Sequence, residues 1–93
     1  MVSFQVYPVA NGLAVDGELD MATVPLLQSA VDQSLAGSEI VVDLSGMTFV
    51  DSVGLVGLLS IVRSDRSVRL VNPSRTALRV MVVAGVEREL MNA

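Results

Sequence analysis

Hydrophobic residues form four short runs between polar stretches of the chain, and each run predicts a β-strand. The predicted strands span Phe4 to Val9, Leu13 to Val15, Glu39 to Leu44 and Val68 to Val71. Asn11-Gly12, between the first two runs, favours a type I′ hairpin turn. The unbroken run Ile40-Val41-Val42 is typical of a strand that is covered on both faces.

Apolar residues at helical spacing predict helices after the second, third and fourth strands. The first helix follows a break at Gly17 to Asp20, runs through Ala36 and is ended by Gly37. The other helices are predicted from Ser52 to about Ser64, from Asn72-Pro73-Ser74 to Gly85, and from Glu87 to Asn92. This order predicts one α/β domain over residues 1–93, with a mixed four- to five-stranded sheet and helices mainly on one face. Strands joined by a helical crossover are expected to be parallel neighbours.

The junction between the third strand and the second helix holds two residues able to cap a helix, Asp51 and Ser52. Plain capping is one explanation of the pair. If Asp51 is the cap, however, the Ser52 hydroxyl is free to face solvent beside the positive end of the helix dipole, a favourable place for a phosphate. Gly54 in the first turn costs up to about 1 kcal/mol relative to alanine, so something approaches the backbone closely there, either a partner or the sheet itself.

The second helix is apolar on both sides. With Leu55, Leu58, Leu59 and Val62 on the buried side, the outward positions are Val53, Val56, Gly57, Ser60 and Ile61. Such a helix is either fully buried or presents an apolar docking surface beside Ser52.

The chemistry of the 93 residues excludes several functions. The chain has no cysteine, histidine or lysine, which removes the usual metal ligands and the base that a serine nucleophile needs. We therefore expect no enzyme, no metal and no cofactor. The longest apolar run, Val53 to Val62, is about half of a membrane span, and the start of the chain lacks a positive leader. These features predict a cytoplasmic protein without membrane insertion.

Charge is divided unevenly along the chain. Residues 1–62 contain seven acids and no base, a charge of −7, whereas residues 63–93 contain six arginines and three acids, a charge of +3. The acidic part would repel nucleic acid, so we expect no binding to DNA or RNA. It suits a positively charged protein partner, although a solvated acidic face without a partner has the same composition.

Three segments resemble bacterial STAS-domain proteins, specifically stand-alone anti-sigma factor antagonists. They are GELD at 17–20, VVDLSGMTFVDSVGL at 41–55 and VRLVNPSRTALRVMVVAGVEREL at 68–90. The resemblance implies that Ser52 is phosphorylated by an anti-sigma factor that is also a serine kinase, with Asp20, Asp51 and Gly54 supporting its engagement. It further implies that the unphosphorylated protein captures the anti-sigma factor and frees the sigma factor, and that a PPM-type phosphatase resets the switch.

A STAS domain also serves without phosphorylation, as a structural subunit of a transport complex of the lipid ABC type or of a signalling complex. Some of those relatives carry threonine at the acceptor position, so Ser52 favours the sigma-factor interpretation.

Overall fold

A computed structural model describes residues 3–34 and 39–91. Within these residues the chain forms four strands and four helices in the predicted order. The strands are β1 (Phe4–Val9), β2 (Gly12–Leu19), β3 (Ile40–Val50) and β4 (Val68–Val71). The helices are α1 (Val24–Asp32), α2 (Ser52–Val62), α3 (Arg75–Ala84) and α4 (Glu87–Met91).

The four strands form one mixed sheet in the order β1-β2-β3-β4. β1 and β2 are antiparallel, whereas β3 runs parallel to both β2 and β4, as the crossovers through α1 and α2 require. The predicted hairpin is confirmed, but its turn is not type I′, because neither Asn11 nor Gly12 has a positive φ. Gly12 instead lets β3 approach, since a Cβ atom there would lie 1.9 Å from the carbonyl oxygen of Val41.

The two central strands are longer than their sequences predict. The predicted break at Gly17 is wrong: β2 continues to Leu19, and Gly17 takes a φ of 103° where its register with β3 shifts. β3 continues past Leu44 to Val50. The pairing register between β2 and β3 shifts, and this lets the two strands continue past residues that, on local sequence alone, favour a strand end.

Burial alternates along β3 because the helices cover one face of the sheet. Ile40, Val42 and Leu44 are fully buried, whereas Val41 and Asp43 are partly exposed on the other face. Helices mainly on one face are therefore confirmed, and the prediction that this run is covered on both faces is wrong. The helices contribute Leu27, Val31, Leu55, Leu58, Ile61, Ala77, Met81 and Leu90 to the core.

The first helix is shorter than predicted. α1 ends at Asp32 rather than at Ala36. Arg66 donates hydrogen bonds to the carbonyl oxygens of Asp32 and Ser34, at 3.0 Å each, which satisfies acceptors that a helix end leaves free. Ala36 itself and the predicted stop at Gly37 lie outside the described residues.

The later helices follow the sequence more closely. α2 ends at Val62, two residues before the predicted Ser64. α3 has the predicted ends, with the Ser74 side chain accepting a backbone hydrogen bond at its start and Gly85 following it with a φ of 77°. α4 is confirmed through Met91, and Asn92 lies outside the described residues. None of the helices in the described ranges has the length and hydropathy to cross a bilayer.

Candidate partner-binding site

The candidate site lies at the carboxyl ends of the two central strands. Leu19, the last residue of β2, pairs with Val50, the last residue of β3. The backbone N–H of Asp51 donates a hydrogen bond of 3.3 Å to the carbonyl oxygen of Leu19. Asp20 and Asp51 are far apart in the sequence, but they follow neighbouring strand ends and lie at one edge of the sheet.

Asp51 is the residue that caps α2. Its Oδ1 accepts a hydrogen bond of 2.8 Å from the backbone N–H of Gly54, and its backbone is extended. Ser52 is consequently the first helical residue and is exposed. Its hydroxyl makes no hydrogen bond with any other described residue. The side chain is therefore available to a reagent from solvent, next to backbone N–H groups that favour an anion.

Gly54 is required by the sheet and not by a partner. It is buried, and a Cβ atom there would lie 2.4 Å from the carbonyl oxygen of Leu19 and 2.8 Å from Cγ2 of Val50. The start of α2 thus rests directly on the ends of β2 and β3. Gly54 supports the site by positioning Ser52, and it does not itself belong to the exposed surface.

Asp20 organises the turn between β2 and α1. Its Oδ1 accepts hydrogen bonds from the backbone N–H groups of Ala22 and Thr23, at 3.0 and 3.1 Å, and from the Thr23 hydroxyl at 3.2 Å. The Thr23 hydroxyl also donates to the carbonyl oxygen of Glu18 at 2.8 Å. Thr23 is a site residue that the sequence analysis missed; its signal is an Asp followed three residues later by a hydroxyl before a helix.

The outward face of α2 is narrower than predicted. Val53 is 44% exposed and Val56 is 64% exposed, and Ser60 is also exposed. Gly57 and Ile61, which were expected on this face, are buried. The assignment of these two residues to a partner-binding surface is therefore wrong.

Gly57 and Ile61 are buried because α1 packs against α2. A Cβ atom at Gly57 would lie 2.7 Å from Cγ2 of Val24 in α1. Because Gly57 has no side chain, the two helices approach closely, and this apolar side of α2 is buried against α1. Because α2 is apolar on all sides, its sequence could not distinguish that side from a free one.

Two exposed apolar residues beside the site were also missed. Met21, directly after Asp20, is 75% exposed, and Phe49, which pairs with Glu18, is 46% exposed. Met21 lies in a turn and Phe49 lies near the end of β3, so the hydrophobic periodicity of the sequence did not predict their exposure at this site. We define the Ser52 patch by the exposed side chains around this end of the sheet: Met21, Ser52, Val53 and Val56, together with Glu18 and Phe49, which alternate with the buried Leu19 and Val50 and so lie on the face without helices.

A groove continues from the Ser52 patch along α2. It has a volume of about 560 Å³ and is lined by Gln28, Val56, Leu59, Ser60, Arg63 and Ser64. Val56 belongs to both surfaces, so a partner that contacts the patch can extend along the helix. Its lining combines the apolar Val56 and Leu59 with four polar or charged side chains, a mixture that is compatible with a protein-binding surface.

Acidic groups dominate the electrostatics of this end. Residues 1–62 contain no basic side chain, and no ion pair within the described residues joins an arginine to Glu18, Asp20 or Asp51. Arg63, at the far end of α2, is paired with Glu89, whose carboxylate raises the pKa of Arg63. A positively charged partner surface therefore complements the patch. In the described parts of the chain no group of acidic side chains could hold a metal ion.

The sequence and the structure both match known proteins. A family model described as "Mlab, STAS domain" matches residues 2–92. The structure is similar to that of the anti-sigma factor antagonist SpoIIAA in its unphosphorylated form, with 25% identity and a TM-score of 0.63 over 95% of this chain and 84% of that chain. No curated protein matches the sequence.

A second solved structure agrees with the first. It is the crystal structure of an anti-sigma factor antagonist from Mycobacterium paratuberculosis, with 26% identity and a TM-score of 0.70 over 94% of this chain and 80% of that chain. These similarities extend over nearly the whole sequence, and the range matched by the family model includes every residue of the Ser52 patch. The chain therefore belongs to the STAS-domain family.

Proposed function

We propose that this protein is an anti-sigma factor antagonist, which binds an anti-sigma factor through the Ser52 patch and is switched off by phosphorylation of Ser52. The similarity to two anti-sigma factor antagonists supports the general role. The start of α2 provides the observation that supports the switch. Asp51 satisfies the helix cap, so the exposed Ser52 hydroxyl is not needed for folding.

The phosphate donor in this proposal is ATP bound to the anti-sigma factor, which acts as the serine kinase. The Ser52 oxygen attacks the γ-phosphorus, the bond to the β-phosphate oxygen breaks, and the hydroxyl proton passes to a base of the kinase. This chain supplies the nucleophile and its surroundings. The first N–H groups of α2 and the helix dipole favour the phosphate that forms.

Release of the partner follows from the surroundings of Ser52. A phosphate adds a charge of roughly −1.5 to −2 at neutral pH. It enters a surface that carries exposed Val53 and Val56 and neighbouring acids, so a bound partner would have to desolvate the new charge without a cation from this chain. A phosphatase of the PPM type removes the phosphate and restores binding.

The decisive experiment compares the protein with Ser52→Ala and Ser52→Thr variants. Each is incubated with a purified candidate anti-sigma kinase and ATP, and the modified residue is located by mass spectrometry. We expect phosphate on Ser52 of the parent, measurable transfer to the threonine variant, and none to the alanine variant, which should remain bound to the kinase in ATP. Transfer to Ser52→Ala at an undiminished rate would rule out the assignment.

A structural subunit of a transport complex is the second candidate, and the family description "Mlab, STAS domain" favours it. In that case the Ser52 patch is a permanent contact. The two functions differ in one measurable way. A permanent subunit binds its complex with the same affinity before and after treatment with kinase and ATP, whereas an antagonist loses affinity for the anti-sigma factor after that treatment.

A further inference from the structure

The outer face of α3 combines basic and apolar side chains. Arg75 and Arg79 lie one helical turn apart, as do Leu78 and Val82. Val82 is 57% exposed and Val83 is 83% exposed, the largest exposed fraction among the large apolar residues described. We call Arg75, Leu78, Arg79, Val82 and Val83 the α3 face. Neither the Ser52 patch nor the proposed switch uses it.

The arginines of the α3 face are free to bind a partner. Arg63, Arg66 and Arg69 are engaged, respectively with Glu89, with the end of α1 and with Glu39. Arg75 and Arg79 form no ion pair or hydrogen bond with another described residue. The cationic groups that remain unpaired in the described structure are therefore concentrated on α3 and on Arg88 of the adjoining α4.

The α3 face and the Ser52 patch lie on different parts of the surface. α3 packs against α4, whose Glu89 contacts Arg63 just beyond the last residue of α2. Ser52 is the first residue of α2, and a helix of 11 residues spans about 16 Å. One molecule can therefore present both surfaces at once to different neighbours.

We propose that the α3 face of one molecule binds the Ser52 patch of a second copy of this chain. The two surfaces complement each other in two respects. The α3 face carries two arginines, whereas the Ser52 patch contains Glu18 and is bordered by Asp20 and Asp51, and each surface carries exposed apolar side chains that the contact would bury. Anionic lipid is a poorer match, because only three arginines lack a partner among the described residues, and the chain has a net charge of −4. A second copy is the partner whose complementary chemistry is present in this chain.

The proposed contact is heterologous and does not close into a ring, which leaves one free α3 face and one free Ser52 patch at the ends of each assembly. Association then grows with protein concentration into short chains instead of stopping at a dimer. It also covers the Ser52 patch, so self-association competes with any other protein that binds there. This inference does not depend on whether Ser52 is phosphorylated.

Sedimentation velocity of the unmodified protein tests the proposal. Concentrations from about 10 μM to about 1 mM are compared at salt concentrations of about 10 mM and about 500 mM, which screen charges to different extents. We expect the average mass to rise with concentration at low salt and to return towards that of the monomer at high salt. A monomer at every concentration in low salt would overturn the proposal, as would association that is insensitive to salt.

Two variants with the same net charge separate a specific contact from a general charge effect. Arg75→Gln/Arg79→Gln and Gln5→Glu/Gln33→Glu both lower the net charge from −4 by two units, to −6. Gln5 and Gln33 are exposed and lie outside both surfaces. We expect the arginine variant to stay monomeric and the glutamine variant to associate like the parent. Equal behaviour of the two variants would contradict the contact.

Mixing complementary variants tests the head-to-tail geometry. Val56→Arg places a positive charge in the Ser52 patch and should also be monomeric alone, although its α3 face is intact. Arg75→Gln/Arg79→Gln retains an intact Ser52 patch. Their mixture should form a one-to-one dimer and nothing larger, with both variants folded as judged by their melting curves. A mixture that remains monomeric, or larger assemblies, would refute this arrangement.

Discussion

Asp51 uses one carboxylate oxygen to accept the hydrogen bond of the Gly54 N–H, and its neighbour Ser52 is left without a structural role. Loss of such a cap typically costs about 1 kcal/mol, whereas removal of an exposed hydroxyl at the first helical position costs little. The cap and the free hydroxyl are adjacent in the chain, so the backbone is held in place at the point where a partner would act on Ser52. The Asp51 side chain thus stabilises the start of the helix, whereas the Ser52 hydroxyl remains available to a partner.

Asp20 offers the sharpest test of that division, because it has both a structural contact and a charge. We expect Asp20→Ala to lower the free energy of unfolding by about 1–2 kcal/mol, since the Thr23 and Ala22 donors lose their acceptor. Asp20→Asn keeps an acceptor oxygen and should remain close to the parent in stability. The same asparagine variant should impair engagement of the kinase, because it removes a negative charge beside Asp51. Urea denaturation and the rate of phosphate transfer measure the two effects.

One outcome of the Asp20→Asn experiment would contradict a role of Asp20 in kinase engagement. If Asp20→Asn loses stability and phosphate transfer in the same proportion, with normal activity per folded molecule, then Asp20 is purely structural. Thr23→Val is a useful companion variant, since it removes the hydroxyl that bridges Asp20 and the carbonyl of Glu18. It should lower stability while leaving the charge of the site unchanged.

At the scale of elements, two glycines of α2 set how the helix sits on its neighbours. Gly54 lies against the backbone of β2, and Gly57 lies against the side chain of Val24 in α1. A backbone carbonyl cannot move aside without distorting the sheet, whereas a valine side chain has some freedom to adjust. The two positions therefore differ in how well they tolerate a larger residue, even though both are buried glycines of one helix.

We expect Gly54→Ala to destabilise the protein by about 2 kcal/mol or more and Gly57→Ala by about 1 kcal/mol, after the gain of about 1 kcal/mol in helix propensity that alanine brings. The cost of Gly57→Ala should shrink in a Val24→Ala background, where the obstructing methyl groups are absent. Ser60→Ala, at an exposed position of the same helix, is the control and should cause no loss. Unfolding curves in urea give all five values. A Gly54→Ala protein as stable as the parent would contradict the close contact with Leu19.

Across the whole molecule, charge is separated in space as it is along the chain. The carboxyl ends of the central strands carry acids, while the unpaired arginines lie on α3 and α4. Asp43 is not part of the acidic end, because it lies seven residues before the end of β3, about 23 Å along the strand. Hydrogen bonds from Ser45 and Asn72 lower the pKa of Asp43. A phosphate on Ser52 would thus lie beside acids and apolar groups, and no arginine of the described residues forms an ion pair with those acids.

We therefore expect phosphorylation to leave the backbone and the melting temperature nearly unchanged while partner affinity falls. The free N–H groups of α2 accommodate the phosphate, and the loss of affinity comes from desolvation and repulsion at the contact. Backbone amide spectra, melting curves and binding titrations of the modified and unmodified protein measure the three quantities. The Ser52→Ala variant serves as the control that cannot be modified. Widespread spectral shifts that reach β4, or a large change in melting temperature, would indicate a conformational switch instead.

The order of the elements, the α/β class and the position of the candidate acceptor could all be predicted from the sequence. These features depend on local physics: periodicity of apolar residues, the cap-forming side chains at Asp51 and Ser74, and the glycine that ends α3. β4 and α3 matched their predicted bounds because each is short and has strong signals at its ends. The uneven distribution of charge was also readable from composition alone.

The ends of β2 and β3 and the exposed side of α2 could not be predicted, because they depend on contacts between elements. Pairing between neighbouring strands carried β2 through Gly17, a residue that favours a break when it is considered alone. Contact with α1 buried Gly57 and Ile61, which a uniformly apolar helix could not reveal. Met21 and Phe49 joined the Ser52 patch because parallel strands bring distant segments to one edge of the sheet. Each of these features depends on contacts between residues far apart in the chain, and local sequence patterns carry no information about such contacts.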